Sequence, residues 1–234
     1  QTTMKNKFFI LAIAATFGAC NVANDSNVKL ETQIDSVSYS LGLNIAQGVK
    51  SQGLDTINPK SVAAAFNDVF NENDLRINEE EALGLLQEYF MKINEKAQEE
   101  SLSKASQNLE AGMNFLDENA KKEGVVTTES GLQYLVITQG NGAKPKATDL
   151  VTVHYHGTLI DGTVFDSSVD RGQPATFGVN EVIAGWVEDL QLMKVGSKYK
   201  LFVPSYIAYG ESSRSEIIGP NSTLIFEVEL LSIK

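Results

Sequence analysis

The first half of the chain has the apolar spacing that is typical of amphipathic helices. A first helix is predicted by four apolar residues at every fourth position, namely Val37, Leu41, Ile45 and Val49. Gly53 is suited to end this helix, and Asn58-Pro59 predicts the N-cap and first turn of a second helix. The apolar face of the second helix consists of Val62, Phe66, Val69 and Phe70. Two such short helices need a partner surface to cover their apolar faces.

A third and much longer helix is predicted to begin after Asn78, with Glu81 in the position of a capping box and no proline in residues 79–122. About 44 helical residues span about 66 Å. Residues 94–108 are almost entirely polar, so the middle of this helix is predicted to be solvated. We interpret the helix as a spacer, with a bend expected at Gly112 because glycine weakens a helix by about 1 kcal/mol.

After Thr127 the pattern changes to short β-rich segments separated by glycine-containing turns. Asp161-Gly162 predicts a tight hairpin, and residues 181–193 form the single helical candidate of this half. The fold class is therefore α+β, with a C-terminal antiparallel sheet wrapped on one short helix after an all-α domain and a long connecting helix. The predicted strands are residues 133–138, 150–157, 164–167, 198–203 and 223–233.

The N-terminus has the pattern of an export signal. A short basic segment, residues 4–7 (MKNK), precedes the apolar residues 8–15 (FFILAIAA). The apolar residues are too few to span a bilayer. Small residues directly before Cys20 resemble a bacterial lipoprotein processing site. This resemblance implies that Cys20 is lipidated and anchors an exported protein to a membrane of the cell envelope, on its periplasmic face or at the cell surface. The alternative is an ordinary cleaved signal peptide in which Cys20 has no role.

Composition narrows the classes of function. The chain has 30 acidic and 19 basic residues and a formal charge of −11, which disfavours binding to nucleic acid. Cys20 is the only cysteine, so no intramolecular disulfide can form. The only histidines, His154 and His156, flank a strand tyrosine and are most simply sheet positions. The sequence offers no catalytic triad and no metal cluster, and we expect no cofactor.

Five segments of the second half follow one another in a distinctive order. They are residues 154–159 (HYHGTL), 161–168 (DGTVFDSS), 182–186 (VIAGW), 204–210 (PSYIAYG) and 223–230 (TLIFEVEL). Together they closely resemble the FKBP family of peptidyl-prolyl cis-trans isomerases, which implies an FKBP-like fold and a role in isomerising X-Pro bonds of unfolded or partly folded proteins.

The first half resembles the N-terminal dimerisation domain of the Mip-like and FkpA-like branch of that family. This resemblance implies a homodimer formed through the N-terminal helices, with the long helix holding each isomerase domain away from the dimer core. The predicted organisation is a signal peptide with a lipoprotein-type cysteine (1–20), a flexible tether (21–33), a helical dimerisation domain (34–77), a long connecting helix (78–124) and an FKBP-type isomerase domain (125–234).

The family resemblance also implies an apolar pocket with two polar groups. Tyr209 is expected to donate its hydroxyl to a substrate carbonyl, while Asp166 at the rim polarises or orients the bound imide. The backbone N–H of Ile183 is expected to bind another carbonyl. Alternatively, the strand aromatics are simply core residues, and Asp166 stabilises the turn after the hairpin. The implied floor is Trp186, and the implied walls are Tyr155, Phe165, Val182, Ile183, Ile218 and Phe226.

Two departures from single-domain members of the family concern ligands. Ala175 stands where an aromatic residue often closes one pocket wall, and Ile207 is an added residue before Ala208-Tyr209. They leave the binding of macrolide inhibitors open. The leading hypothesis is an isomerase that accelerates the folding of exported proteins. The alternatives are a dimeric holdase-type chaperone that uses the cleft between two arms, and a surface lipoprotein that serves as a binding module.

Overall fold

The computed structural model describes residues 28–234, so the predicted signal peptide, Cys20 and most of the predicted tether lie outside the described residues. The chain divides into two compact units, one ending at Ile93 and the other comprising Asn94–Lys234. Within residues 28–234, no helix has both the length and the apolar character needed to cross a membrane.

The first two helices follow their sequence signals closely. Helix α1 comprises Gln33–Ser51 and begins before the predicted apolar stripe because Thr32 and Asp35 form a capping box. The backbone N–H of Asp35 donates to Thr32 Oγ1 at 3.1 Å, and the N–H of Thr32 donates to Asp35 Oδ2 at 2.8 Å. Helix α2 comprises Pro59–Phe70, and Asn58 caps it as predicted.

Helix α3 comprises Glu79–Asn119, 41 residues in one continuous helix. Its predicted start is confirmed, because Asn78 Oδ1 accepts a hydrogen bond from the backbone N–H of Glu81 at 2.8 Å. The helix ends earlier than predicted, since the N–H of Lys121 turns to the carbonyl of Glu118 at 3.3 Å, a tighter i−3 pattern. Gly124, with φ +82°, then leads the chain away from the helix axis.

The helical unit buries almost none of its apolar surface. Among residues 28–93, Asp68 is the one buried residue, and it accepts a hydrogen bond from Arg76 Nε at 3.1 Å. Large apolar side chains of all three helices are exposed, including Phe70 at 77% and Leu83 at 69%. The apolar stripes predicted from the sequence are therefore present on the helices but uncovered within the single chain.

The second unit is built on a seven-stranded antiparallel sheet with the order β1-β2-β6-β7-β3-β4, to which β5 is added by pairing with β3. Helix α4 and one face of this sheet enclose the hydrophobic core, in which Trp186 and Leu190 meet Val153, Leu201 and Val228. The elements are β1 (Val125–Thr127), β2 (Gln133–Thr138), β3 (Leu150–Leu159), β4 (Val164–Ser167), β5 (Ala175–Gly178), α4 (Ala184–Leu192), β6 (Lys198–Val203) and β7 (Leu224–Ile233).

The predicted strands and hairpin are confirmed, with differences at some of their ends. Strand β7 begins at Leu224, one residue later than predicted. Strands β1 and β5 were not predicted, because they have only three and four residues and no alternating pattern of their own. Strand β3 extends two residues further than predicted. The helix predicted for residues 181–193 is wrong at its start, because Val182 and Ile183 are extended, with ψ values of 176° and 150°. A 3-10 turn at Val179–Glu181 precedes this extended pair.

The last third of α3 packs on the sheet. The rings of Phe115 and Phe202 lie 5.9 Å apart, and Asn119 Nδ2 donates to Gln133 Oε1 at 2.9 Å. A Cβ atom on Gly112 would lie 2.3 Å from Thr223 Oγ1, so this glycine permits a close approach of helix and sheet. Gly112 lies within the continuous helix α3, and the bend expected there stays a prediction.

Candidate functional site

A cavity of about 690 Å³ opens beside α4 on the core face of the sheet. We call it the aromatic cavity. All the side chains that were predicted for the site line it, although their positions along the chain are far apart. Their roles toward a substrate stay predictions. These residues are Tyr155, Phe165, Asp166, Val182, Ile183, Trp186, Tyr209, Ile218 and Phe226.

Trp186 lines the aromatic cavity and is only 4% exposed, and its role as the floor stays a prediction. Its ring meets Tyr155 and Phe226 edge to face, with centroids 5.5 Å and 5.1 Å apart. Phe165 in turn stands edge to face against Phe226 at 5.4 Å. These contacts fix several rings at right angles to one another, so the cavity has rigid aromatic walls.

Two glycines allow this packing. A Cβ atom on Gly157 would lie 2.6 Å from the Phe165 ring, so the bare backbone makes room for that wall. A Cβ atom on Gly185 would lie 2.6 Å from Val203, so α4 lies close against β6 and holds the indole of Trp186 in the core. The cavity therefore depends on two positions where a side chain has no space.

Two N–H donors at and near the start of α4 have no hydrogen-bond acceptor among the described residues. The indole N–H of Trp186 has no hydrogen-bond acceptor among the described residues. Within residues 28–234 the backbone N–H of Ile183, at the N-cap of α4, also donates to no other group. The indole N–H of Trp186 is itself buried, so the N–H of Ile183 is the group left as the predicted donor to a substrate carbonyl.

Asp166 belongs to a polar cluster at the rim. The hydroxyl of Tyr155 donates to Asp166 Oδ2 at 2.5 Å, and the guanidinium of Arg171 donates to both Asp166 and Tyr155. Burial is the largest single influence and opposes ionisation, but the hydrogen bonds from Tyr155 and Arg171 outweigh it, so the pKa of Asp166 lies below its usual value. Burial, with the hydrogen bond to Asp166, raises the pKa of Tyr155.

Two acids lie close to the hairpin, and their contacts differ. The turn acid is Asp161, whose Oδ1 accepts from the backbone N–H of Thr163 at 2.9 Å, next to Gly162 with φ +88°. Asp166 lies in β4 and binds Tyr155 and Arg171 across the rim instead. Because Arg171 lies in the turn that follows β4, this ion pair is compatible with either interpretation of Asp166, and both stay predictions.

Tyr209 lines the aromatic cavity and is 36% exposed, and the guanidinium of Arg214 lies 5.6 Å from the centroid of its ring. The loop that follows is fastened by its own backbone. The N–H of Arg214 donates to the carbonyl of Ile218 at 2.9 Å, and the N–H of Asn221 donates to Gly210 at 2.7 Å. This folding buries the Ile218 side chain in the cavity wall.

Several residues of the site were missed from the sequence. Phe177 lines the aromatic cavity from β5, whereas Ala175, two residues earlier in that strand, does not. Arg171 lies outside the sequence motifs that predicted the site. The general rule that an acid in an apolar site needs a nearby cation could have indicated it. Glu181, Arg214 and Ser215 complete the lining.

The histidines lie away from this site. His154 and His156 are on β3, and their Nδ1 atoms lie 3.2 Å and 3.0 Å from the hydroxyls of Ser168 and Ser167. The prediction that they are sheet positions is confirmed. Within residues 28–234, no group of three or more His, Cys, Asp or Glu side chains is placed to hold a metal ion.

Asp189 is an unusual buried acid on α4. It is fully buried, and neither carboxylate oxygen has a hydrogen-bond partner among the described residues. Burial, with a smaller contribution from the charge of Glu188, raises the pKa of Asp189 to about 8. The carboxylate does not line the aromatic cavity, so its effect falls on the stability of the fold.

Comparisons with known proteins agree with this geometry. The family model of FKBP-type peptidyl-prolyl cis-trans isomerases matches residues 141–231, and the model of the domain amino-terminal to FKBP-type peptidyl-prolyl isomerase matches residues 34–136. The crystal structure of FkpA from Escherichia coli aligns with a TM-score of 0.65 at 34% sequence identity and covers 88% of this chain and 99% of that chain.

Two curated relatives extend along most of the chain. The outer membrane protein MIP of Legionella longbeachae is 43% identical over 231 residues, which cover 99% of each chain. The FKBP-type 22 kDa peptidyl-prolyl cis-trans isomerase of Escherichia coli strain K12 is 47% identical over 196 residues, covering 84% of this chain and 93% of that relative. The family resemblance and the α+β fold class are thereby confirmed, and the chain belongs to the family of FKBP-type peptidyl-prolyl cis-trans isomerases.

Proposed function

We propose that this isomerase acts on prolyl bonds of exported proteins and that the reaction takes place in the aromatic cavity around Trp186. The observation that carries the assignment of the site is the convergence of Trp186, Tyr209 and Asp166 on one cavity lined otherwise by aromatic and aliphatic side chains. The same cavity is the proposed site for macrolide inhibitors, with Phe177 as the wall that Ala175 does not supply.

The chemistry suits such a cavity. Rotation about an X-Pro bond meets a barrier of about 18–20 kcal/mol because the amide loses its resonance, and no covalent bond is broken. The twisted imide has less charge separation than the planar one. A dry cavity therefore favours the twisted form relative to water, and this difference in binding lowers the barrier.

The polar groups have distinct roles in this proposal. Tyr209 donates its hydroxyl to one substrate carbonyl, and the free N–H of Ile183 binds another. Asp166 is held as a carboxylate by Arg171 and the Tyr155 hydroxyl, so it presents a fixed negative charge to the imide. Positioning by these fixed groups replaces the water that would solvate the substrate.

The test is the cis-to-trans rate of a proline-containing tetrapeptide with the protein from residue 21 onward. We expect Trp186→Ala, Tyr209→Phe and Asp166→Ala each to lower kcat/KM by about tenfold or more. Circular dichroism and the unfolding midpoint of each variant establish that it is folded. Folded variants with the parent's rate would place the reaction elsewhere.

The helical half supports a homodimer. Its exposed apolar side chains, with Asp68 as the one buried residue of residues 28–93, leave a surface that a second copy of the same helices can cover. The match of residues 34–136 to the domain amino-terminal to FKBP-type isomerases supports this assignment. Light scattering tests it, and a monomeric mass would contradict it.

The proposed location is the cell envelope, with lipid at Cys20 as the anchor. The support is the signal-like pattern before Cys20 and the name of the relative from Legionella longbeachae, an outer membrane protein. Mass spectrometry of the protein purified from membranes tests the anchor. A mature N-terminus without lipid would contradict it.

A chaperone activity is the second candidate, because the uncovered helices offer apolar surface beyond the aromatic cavity. Suppression of aggregation by the whole protein is then expected to be lost in a fragment that keeps only residues 94–234. This boundary is preferable to one at Thr127, since the last third of α3 packs on the sheet through Phe115 and Asn119. Full suppression by the fragment would contradict the chaperone role of the helices.

A further inference from the structure

A second cavity, of about 780 Å³, lies beside the aromatic cavity within the unit Asn94–Lys234. Residues 97–108 of α3 form one wall, and residues 213–222 of the loop after Tyr209 form the other. We call it the helix–loop groove. Its volume falls in the range of about 300–1,000 Å³ that is usual for ligand sites.

Two hydrogen bonds join the walls of this groove. Asn108 Nδ2 on the helix donates to the carbonyl of Pro220 at 2.8 Å, and Asn221 Nδ2 on the loop donates to the carbonyl of Ala105 at 3.4 Å. Pro220 is buried, and a Cβ atom on Gly219 would lie 3.2 Å from the Asn108 amide. The base of the groove is therefore a fixed contact, and its open side faces solvent.

The helix–loop groove and the aromatic cavity share one lining residue. Ser215 lines both, and the neighbouring isoleucines divide between them, with Ile218 in the wall of the aromatic cavity and Ile217 in the groove. Ile217 is 46% exposed in the single chain, an apolar side chain without a covering partner. A substrate chain that leaves the aromatic cavity on the side of Ser215 would therefore pass toward the groove.

The lining suits a polypeptide in an extended conformation. The hydroxyls of Ser101 and Ser213 can each donate and accept, which matches the alternating N–H and carbonyl groups of a peptide backbone. The hydroxyl of Ser222 donates to the carbonyl of Gly219 at 2.9 Å and can still accept. Ile217 and Leu159 offer apolar contacts to side chains. The charged residues include both signs, Glu100 and Glu216 against Lys104, so the lining favours no strongly charged ligand.

We propose that the helix–loop groove binds the segment of a protein substrate that adjoins the prolyl bond held in the aromatic cavity. The inference rests on the proposed function, because the groove has this use only if the prolyl bond is isomerised next to Ser215. A tetrapeptide is too short to fill both cavities. A protein substrate fills both, so the groove adds affinity for proteins alone.

Filling the groove tests this proposal. Ser101→Trp places an indole against the loop, while Ser106→Trp is the matched control, since it lies about 140° further around the same helix and does not line the groove. Two rates are measured for each variant, the isomerisation of a tetrapeptide and the refolding of a protein that is limited by one prolyl bond. We expect Ser101→Trp to lower kcat/KM about tenfold for the protein and less than about twofold for the tetrapeptide, with Ser106→Trp unchanged on both.

The outcomes separate the two proposals. A parent protein without activity on the tetrapeptide would overturn the proposed function, and the groove with it. An active parent whose Ser101→Trp variant keeps full activity on the protein substrate would overturn the groove alone. An equal loss on both substrates would also overturn it, because the groove would then act only through the aromatic cavity.

Binding without catalysis gives an independent measurement on the unmutated protein. The indole N–H of Trp186 and the backbone N–H groups of Lys104 and Gly219 serve as NMR reporters of the two cavities. A tetrapeptide is expected to shift Trp186 alone. The same sequence extended by six residues on each side, about 20 Å of extended chain per side, is expected to shift Trp186, Lys104 and Gly219 together. Shifts confined to Trp186 with the extended peptide would contradict the groove.

Discussion

The two halves of this molecule obtain their stability in different ways. Residues 94–234 enclose a core in which Val153, Leu201 and Val228 are almost completely buried, whereas residues 28–93 contain well-capped helices with no buried apolar side chain. Local signals such as the Thr32 capping box thus define where a helix forms. They do not bury its apolar face. The first half leaves apolar faces uncovered, which the proposed dimer would cover, whereas the second encloses its core within one chain.

The largest expected effect concerns the uncovered half. Replacing Leu41 and Ile45 on α1 with glutamate puts two charges on the apolar stripe, and we expect the dimer to weaken at least about a thousandfold. Gln47→Glu, an exposed polar position on the same helix, is the matched control. Light scattering measures the mass, and the tetrapeptide assay is expected to show unchanged activity. A stable dimer in the double variant would contradict the assignment of the interface.

Asp189 gives the self-contained half a dependence on pH. In the unfolded chain this acid loses its proton near its ordinary pKa of 3.8, whereas the folded chain keeps the proton to about pH 8. The folded state therefore binds more protons between these values, and stability falls as pH rises through this window.

We expect the free energy of unfolding to fall by about 2 kcal/mol or more between pH 5 and pH 8, and Asp189→Asn to remove this dependence. Denaturant titrations at several pH values measure it, with exposed Asp117→Asn as the control. An Asp189→Asn variant with the parent's pH dependence would show that another group is responsible.

Helix α3 contains two glycines, one in each half of the molecule, and the effect of alanine at each position can be compared. Gly112→Ala directs a methyl group at Thr223 Oγ1, so we expect it to destabilise residues 94–234 by about 2 kcal/mol. Gly84 has no atom within 4 Å of its added Cβ, so Gly84→Ala is expected to stabilise the helix by about 0.5–1 kcal/mol. Thermal unfolding measures both. Equal effects of the same sign would contradict the close packing at Gly112.

The smallest effect concerns the rim of the aromatic cavity. The hydrogen bonds and charge of Arg171 lower the pKa of Asp166, so Arg171→Gln is expected to raise it and to move the acid limb of the activity profile to higher pH. Carbon-detected NMR of the Asp166 carboxyl measures the pKa directly. Arg214→Gln, which removes the cation over Tyr209 instead, is expected to leave it unchanged. An unchanged pKa in Arg171→Gln would contradict this account of the rim.

Local signals explain what the sequence predicted well. Strands β2 and β6 were placed at their observed bounds, and the caps at Asn58 and Asn78 set the starts of two helices, because each signal lies within a few residues of its effect. The family resemblance predicted that distant segments line one cavity. Periodicity alone does not predict such contacts.

What was missed depends on contacts between distant residues. Strand β5 forms by pairing with β3, a residue-to-residue contact that its own short sequence does not indicate. For the same reason, the sequence did not indicate that Phe177 lines the cavity. The close approach at Gly112 was missed because its neighbour, Thr223, lies far along the chain. Arg171 follows the same rule, since its partners Tyr155 and Asp166 come from two strands.

The most direct test of this account is the tetrapeptide isomerisation rate of the fragment 94–234, compared with the whole protein and with the same fragment carrying Trp186→Ala. The account predicts that the fragment keeps kcat/KM within about twofold of the whole protein and that Trp186→Ala lowers it about tenfold or more. A folded fragment without activity, or one whose activity survives Trp186→Ala, would contradict the assignment of catalysis to the aromatic cavity.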